Sequence, residues 1–426
     1  MNRVRCVTAV LAAVGLVMAA GAAERTIRRS SAMREGPASF FPVVMPLEPG
    51  MKVSVTETRG SWVQGLAGER SGWIAQLAFE AFSAGVDYAG MLNSEKALVV
   101  SSVDIAAATK GAFEANYAET HKTDFARVDT LEQLRVPPEL VSRILESLPA
   151  PAPRVLADLP QPQFANNVII RADAEHLLGR ALTATLVSPG FVDSPEAIAY
   201  VNAVAAVVGA RTPRYDLPFR VALTDDPGIN GFGLPGGNVV LTRGLLGMVR
   251  NEAELACQIG HEIAHITLYH GLREFQKRGT HRKSDSAFGE LDSMGGDAAD
   301  PFAELEALTG DTSLGGVEAD MTRLANTSYL TIIGKRARED ELDADLFGVA
   351  YAAAAGYDPN AMIRYLERVR GQGIGPDAFR HHPSIDERIT ALREGIRRYR
   401  LATGTQVLGD ERFKLETAGL DAKGGE

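Results

Sequence analysis

Cysteine is nearly missing from this chain of 426 residues, which has only Cys6 and Cys257. Cys6 falls in an N-terminal segment expected to be removed, so Cys257 is left alone and no intrachain disulfide can hold the mature fold. A lone thiol among apolar helix positions reads as a small core residue. Positive charge is also short: 44 Lys and Arg stand against 54 Asp and Glu, a formal net charge of −10. That balance argues against nucleic acid as a partner. Beyond residue 23 there is no stretch of eighteen apolar residues, so no integral membrane span is expected. Helical repeats are absent too, and no tetratricopeptide tail is expected.

The N-terminus has the layout of a secretory signal. Arg3 and Arg5 form a basic start, Val7 to Ala20 is an apolar run, and Gly21-Ala22-Ala23 supplies small residues before Glu24. Removing residues 1–23 takes two arginines and no acid, which moves the formal charge from −10 to −12. The expected location follows: secretion across the inner membrane into the periplasm.

Histidine is scarce, eight in all, yet two of them frame the most informative stretch, His261-Glu262-Ile263-Ala264-His265. On a helix the two imidazoles lie four residues apart on one face, where both can reach one tetrahedral zinc ion, while Glu262 can reach water at that ion. Asn251 with Glu254 three residues on is a capping signature, and Gly271 suits a C-terminal stop, which predicts one helix over 251–270. Leu255, Ala256, Ile259, Ile263 and Ile266 give it an apolar stripe.

A hydrolytic zinc needs a third protein ligand and one open position. His270 lies nine residues after His261, about 180° round an ideal helix, and is set aside as a ligand. The metzincin spacing is excluded because Leu268 and Gly271 occupy its Gly and His places. The remaining candidate is the helix pattern from Arg338 to Asp345. There Glu341 can complete the set and Asp345, one turn on, can accept the free N–H of a ligand imidazole.

Further pieces surround these. Asn230-Gly231-Phe232-Gly233-Leu234-Pro235-Gly236-Gly237 precedes the first helix, with strands expected at 219–223 and 238–242 and a turn at 235–238. Thr242-Arg243-Gly244-Leu245-Leu246 and Asn251-Glu252-Ala253-Glu254-Leu255-Ala256 come next, and His382-Pro383 with Arg388 follows both ligand helices. In that order these motifs resemble the gluzincin metallopeptidases related to the HtpX heat-shock protease, the CAAX prenyl protease and the periplasmic chaperone-protease BepA. The resemblance covers about residues 213–388. It departs from the family pattern at Gly231 and Gly233, where alanine is usual, at Ala337, where serine is frequent, and at Asp343, where glutamate is frequent.

The resemblance implies one zinc ion per chain held by His261, His265 and Glu341, with Asp345 and Arg338 behind them and Glu262 as general base. It also implies a sheet edge above the metal to which an extended peptide adds as a strand. His382, Arg388 or Arg338 is expected to supply or position a second oxyanion donor, or His381 or His382 to cap the metal and keep the site latent.

Residues 24–79 resemble bacterial Src-homology-3-like modules through Met33-Arg34-Glu35-Gly36-Pro37, Gly60-Ser61-Trp62-Val63 and Ser71-Gly72-Trp73-Ile74. Trp62 and Trp73 form either an aromatic groove for a peptide or peptidoglycan strand or part of the packing. Residues 80–163 read as a helical region ending in a proline-rich hinge, 164–402 as the peptidase domain, and 403–426 as a tail. Within the peptidase domain, residues 285–320 hold ten acids and no Lys or Arg and form an insert that is either a lid or a tolerated loop.

The expected fold is α+β: a mainly helical zincin-type domain with a small antiparallel sheet, preceded by a small all-β barrel. The expected function is hydrolysis of unfolded or misassembled envelope proteins by a zinc metalloendopeptidase. The alternative is an envelope-binding or chaperone-like protein whose zinc is latent or structural.

Overall fold

The computed structural model describes residues 23–80, 123–149, 156, 159, 172–272, 338–371, 383–402 and 406–421. The signal segment before residue 23, most of the proline-rich hinge, the acidic insert and the pair His381-His382 lie outside these. The chain divides into two compact units, residues 1–37 with 42–83 and residues 38–41 with 84–426.

The first unit is a six-stranded sheet made of β1 (Ala23–Thr26), β2 (Ser31–Arg34), β3 (Val43–Leu47), β4 (Lys52–Arg59), β5 (Trp62–Ala67) and β6 (Arg70–Ala75). Its order is β1-β4-β5-β6-β2-β3, with all pairs antiparallel. Two-residue turns join β4 to β5 and β5 to β6, with Gly60 at φ 58° and Gly68 at φ 60° taking the left-handed geometry that matches strand twist. Ile27, Met33, Leu47, Val53, Val63 and Ile74 fill the core. β1 and β3 both end the order unpaired with each other, so the strands form an open sheet, where a closed barrel was expected. Trp62 and Trp73 are each 7% exposed, and the Arg59 guanidinium lies 4.9 Å from the Trp73 ring centre. The two indoles belong to the packing.

The second unit is mainly helical. Its helices are α1 (Phe125–Gln133), α2 (Pro138–Ser147), α3 (Ala172–Leu186), α4 (Pro195–Gly209), α5 (Arg243–Met248), α6 (Glu252–Thr267), α7 (Arg338–Ala355), α8 (Asn360–Gly371), α9 (Ile385–Arg398) and α10 (Asp410–Asp421). A three-stranded sheet of β7 (Arg220–Thr224), β8 (Gly231–Gly233) and β9 (Asn238–Thr242) has the order β7-β9-β8. The sheet is mixed, not antiparallel throughout, because β7 runs parallel to β9 while only β8 forms a hairpin with it. The fold class is α+β as expected.

α4 is apolar on all sides, starts at a Ser194 cap that accepts from the Ala197 amide, and runs through the centre against α6. α2 packs on α4 through Leu140, Val141 and Ile144, so part of the 80–163 stretch builds this core. The C-terminal stretch does too: Phe413 of α10 is buried in the same cluster, and α10 lies on α4.

The Asn251 cap is present, its side chain accepting from the Glu254 amide at 2.9 Å. α6, however, stops at Thr267 rather than at 270. Leu268 closes the helix and Tyr269 takes the left-handed turn at φ 56°, two residues before the glycine expected to do so. Every residue of α6 is buried, so the apolar stripe read from spacing underestimates how much the helix is covered.

Candidate metal centre

α6 and α7 form the most extensive helix pair of the second unit. Their contact places the Nε2 atoms of His261 and His265 3.2 Å apart. From α7, Glu341 brings Oε2 to 3.5 Å from His261 Nε2 and Oε1 to 3.5 Å from His265 Nε2. The three side chains are buried, and among the described residues they are the one group whose donor atoms could share a metal ion. A tetrahedral zinc with bonds of about 2.0–2.1 Å separates its ligand atoms by about 3.3 Å. The triangle of two nitrogens and a carboxylate fits that ion in spacing and in donor chemistry.

A charged relay stands behind His261. Its Nδ1 lies 2.9 Å from Asp345 Oδ1, and Arg388 donates from Nε to Asp345 Oδ2 at 2.7 Å and from Nη2 to Oδ1 at 2.6 Å. Burial alone would push the His261 imidazole down, but hydrogen bonds to Asp345 and Glu341 and the charge of Glu262 outweigh it and raise its pKa to about 9. Burial would likewise raise Asp345, but Arg388 and His261 hold it below the usual carboxylate range. Arg388 therefore sits behind a ligand position, with two of its donors committed to Asp345.

Behind His265 the arrangement differs. His270 was expected on the far side of a continuing helix. The turn at Leu268–Tyr269 instead folds the chain back and sets His270 Nδ1 2.9 Å from His265 Nδ1. The two rings meet edge to face at 4.9 Å. Nothing in the spacing announces this, because an ideal 3.6-residue period is what carried His270 away.

Glu262 is buried beside β8. A Cβ built on Gly231 would come 2.8 Å from Glu262 Oε1, and one on Gly233 would come 2.1 Å from the Glu262 carbonyl oxygen. The two glycines thus let the edge strand run directly over Glu262. The Cys257 thiol is directed toward the Asp358 carbonyl at 3.9 Å and lies outside the donor group. Arg338 is exposed and paired with Glu387 across α9. His382 lies outside the described residues.

Residues 195–396 match the peptidase family M48. Over that span the chain is similar to metallopeptidases of that family. A putative beta-barrel assembly-enhancing protease of Vibrio cholerae serotype O1 is 29% identical over 288 residues, which is 65% of this chain and 56% of that protein. The beta-barrel assembly-enhancing protease of Escherichia coli K12 is 29% identical over 211 residues, 48% of this chain and 40% of that one. Mitochondrial metalloendopeptidase OMA1 of Arabidopsis thaliana is 28% identical over 182 residues, 42% of this chain and 32% of that one. The chain thus spans about half or less of the length of these relatives. Among the described residues no helix is long and apolar enough to cross a membrane.

Proposed function

We propose that this protein is a zinc-dependent metalloendopeptidase of the bacterial envelope, secreted to the periplasm, that cuts unfolded or misassembled proteins. The observation that carries the reading is the buried triangle of His261, His265 and Glu341 with spacings of 3.2 and 3.5 Å and Glu262 one residue from the first imidazole. His261, His265 and Glu341 would hold one zinc ion and leave a position for solvent. Bound there, zinc supplies Lewis acidity that acidifies water and polarises a carbonyl.

The remaining steps belong to the protein. Glu262 takes a proton from the attacking water and returns it to the leaving amine. β8, the edge of the sheet, lines the approach to Glu262 and offers main-chain groups to an extended peptide, a mode tolerant of side-chain sequence. Such tolerance suits a protease that meets many unfolded chains, and the relatives named for beta-barrel assembly support outer-membrane proteins as the substrate class. Arg388 acts through Asp345 to fix the His261 ring. Cys257 faces away from the donor group, which counts against a closed structural zinc site. The short strands and tight turns of the first unit support a Src-homology-3-like module, whose ligand would have to bind elsewhere than at the buried tryptophans.

The test compares wild type with Glu262→Gln on an unfolded outer-membrane protein. The variant should retain zinc while cleavage falls by at least about a thousandfold. Cleavage at the wild-type rate by the variant would overturn the reading.

A further inference from the structure

We propose that His270 is a positioning residue for zinc, acting as the hydrogen-bond acceptor that fixes the tautomer and ring angle of His265; the inference rests on the zinc assignment above. An imidazole that binds a metal through Nε2 carries its proton on Nδ1. His265 Nε2 belongs to the donor triangle, so its Nδ1–H points at His270 Nδ1, 2.9 Å away. One proton fits between two ring nitrogens at that distance, which makes His270 Nδ1 the acceptor and places the His270 proton on Nε2. That N–H faces the Asp340 carboxylate on α7, with Oδ1 3.8 Å away. Both rings are buried, 2% exposed for His265 and 1% for His270.

The two ligand imidazoles are therefore held differently. His261 is backed by a carboxylate and an arginine, whereas His265 is backed by a neutral imidazole, a weaker acceptor that lends less negative charge to the metal. The backbone is shaped for this contact. A left-handed residue after the helix end turns the chain, and Tyr269 adopts that conformation at φ 56° without being glycine. Its ring lies 5.0 Å from the Arg214 guanidinium, which Glu175 grips at 2.7 and 2.9 Å. The Glu175 carboxylate also accepts from the Gly236 amide at 3.2 Å. The turn that presents His270 is thus braced from α3 and from the segment joining β8 to β9.

The experiment measures zinc dissociation constants of the full-length metal-free protein by competition with a chromogenic chelator, for wild type, His270→Ala and His270→Asn. His270→Ala should weaken zinc binding by about 10–100-fold. Asn places an amide oxygen where Nδ1 stood and should recover most of the loss, which a merely space-filling role would not reproduce. Cobalt substitution supplies a second readout: the visible ligand-field bands should change in the alanine variant and return toward wild type in the asparagine variant. Should His270→Ala fail to fold, His270→Phe, which fills the space without an acceptor, takes its place and should show the same loss of zinc affinity and the same change in the bands. Equal zinc affinity in wild type and His270→Ala, or an asparagine variant with neither wild-type affinity nor wild-type bands, would overturn the proposal. If wild type and His261→Ala both fail to bind zinc, the metal assignment itself falls. If zinc binds but Glu262→Gln still cleaves, only the peptidase reading does.

Discussion

Gly260 and Gly348 meet backbone to backbone where α6 crosses α7. A Cβ on Gly348 would lie 2.5 Å from the His261 amide nitrogen, and one on Gly260 would lie 2.5 Å from the Gly348 carbonyl oxygen. This close approach brings Glu341 and Asp345 within reach of the two histidines. Gly348→Ala should force the helices apart, cost about 1–3 kcal/mol of stability despite the better helix propensity of alanine, and weaken zinc binding. Urea titration together with chelator competition checks it, and an unchanged zinc affinity would show that the crossing tolerates the methyl group.

Arg388 is expected to matter through geometry as well as charge. Arg388→Lys keeps a cation beside Asp345 but loses the two-pronged grip recorded at 2.6 and 2.7 Å. Zinc affinity should fall in the lysine variant and fall further in Arg388→Ala, where the buried Asp345 charge is left with His261 alone. If kcat drops while zinc affinity stays at the wild-type value, Arg388 contacts the reaction instead.

The C-terminal helix clasps the start of the metal helix. Glu252, fully buried in the first turn of α6, accepts from Tyr200 at 2.7 Å, from Tyr357 at 2.9 Å and from Arg412 of α10 at 2.5 Å through each of two donors. Removing the cation leaves a carboxylate buried without its counter-charge, so Arg412→Ala should cost about 3–5 kcal/mol. A chain ending before α10 should lose at least as much. Thermal unfolding of the two variants measures this, and a wild-type midpoint in Arg412→Ala would refute it.

Metal-free protein should lose stability as pH rises from 6.5 to about 9. His261 titrates near 6.5 when unfolded and at about 9 when folded, so the folded state binds the proton more tightly. The resulting stabilisation is complete below pH 6.5 and disappears as pH passes through 9. Unfolding midpoints in excess chelator should decline across that window, and His261→Ala should flatten the decline. The same proton competes with zinc, so zinc affinity should rise with pH over the same range.

Much of the site could be read in the chain because its parts are local. HExxH needs only a helix, and the capping pair Asn251 and Glu254 announces that helix before any neighbour is placed. Glu341 and Asp345 were legible because four-residue spacing on a helix puts them on one face. The strand at 238–242 was legible from its β-branched run. The parallel pairing of β7 with β9 was not, since a partner strand leaves no mark on local pattern. Residues 403–426 read as a tail, because what holds α10 in place, the Arg412 pair with Glu252 and the burial of Phe413, comes from residues far away in the sequence.

The sequence alone brought forward the donors that could share a metal, two imidazoles one turn apart and Glu341 on a second helix, together with Glu262 beside the first imidazole and Asp345 one turn on. These follow from helical period and side-chain chemistry, which act over a few residues. Only the tertiary structure decided which imidazole Asp345 backs and that His270 backs the other, because the left-handed turn at Tyr269 breaks the period that would have carried His270 away and the glycine crossing sets how near α7 comes. Both are matters of backbone geometry enforced by packing against distant segments, and no short stretch of chain specifies them.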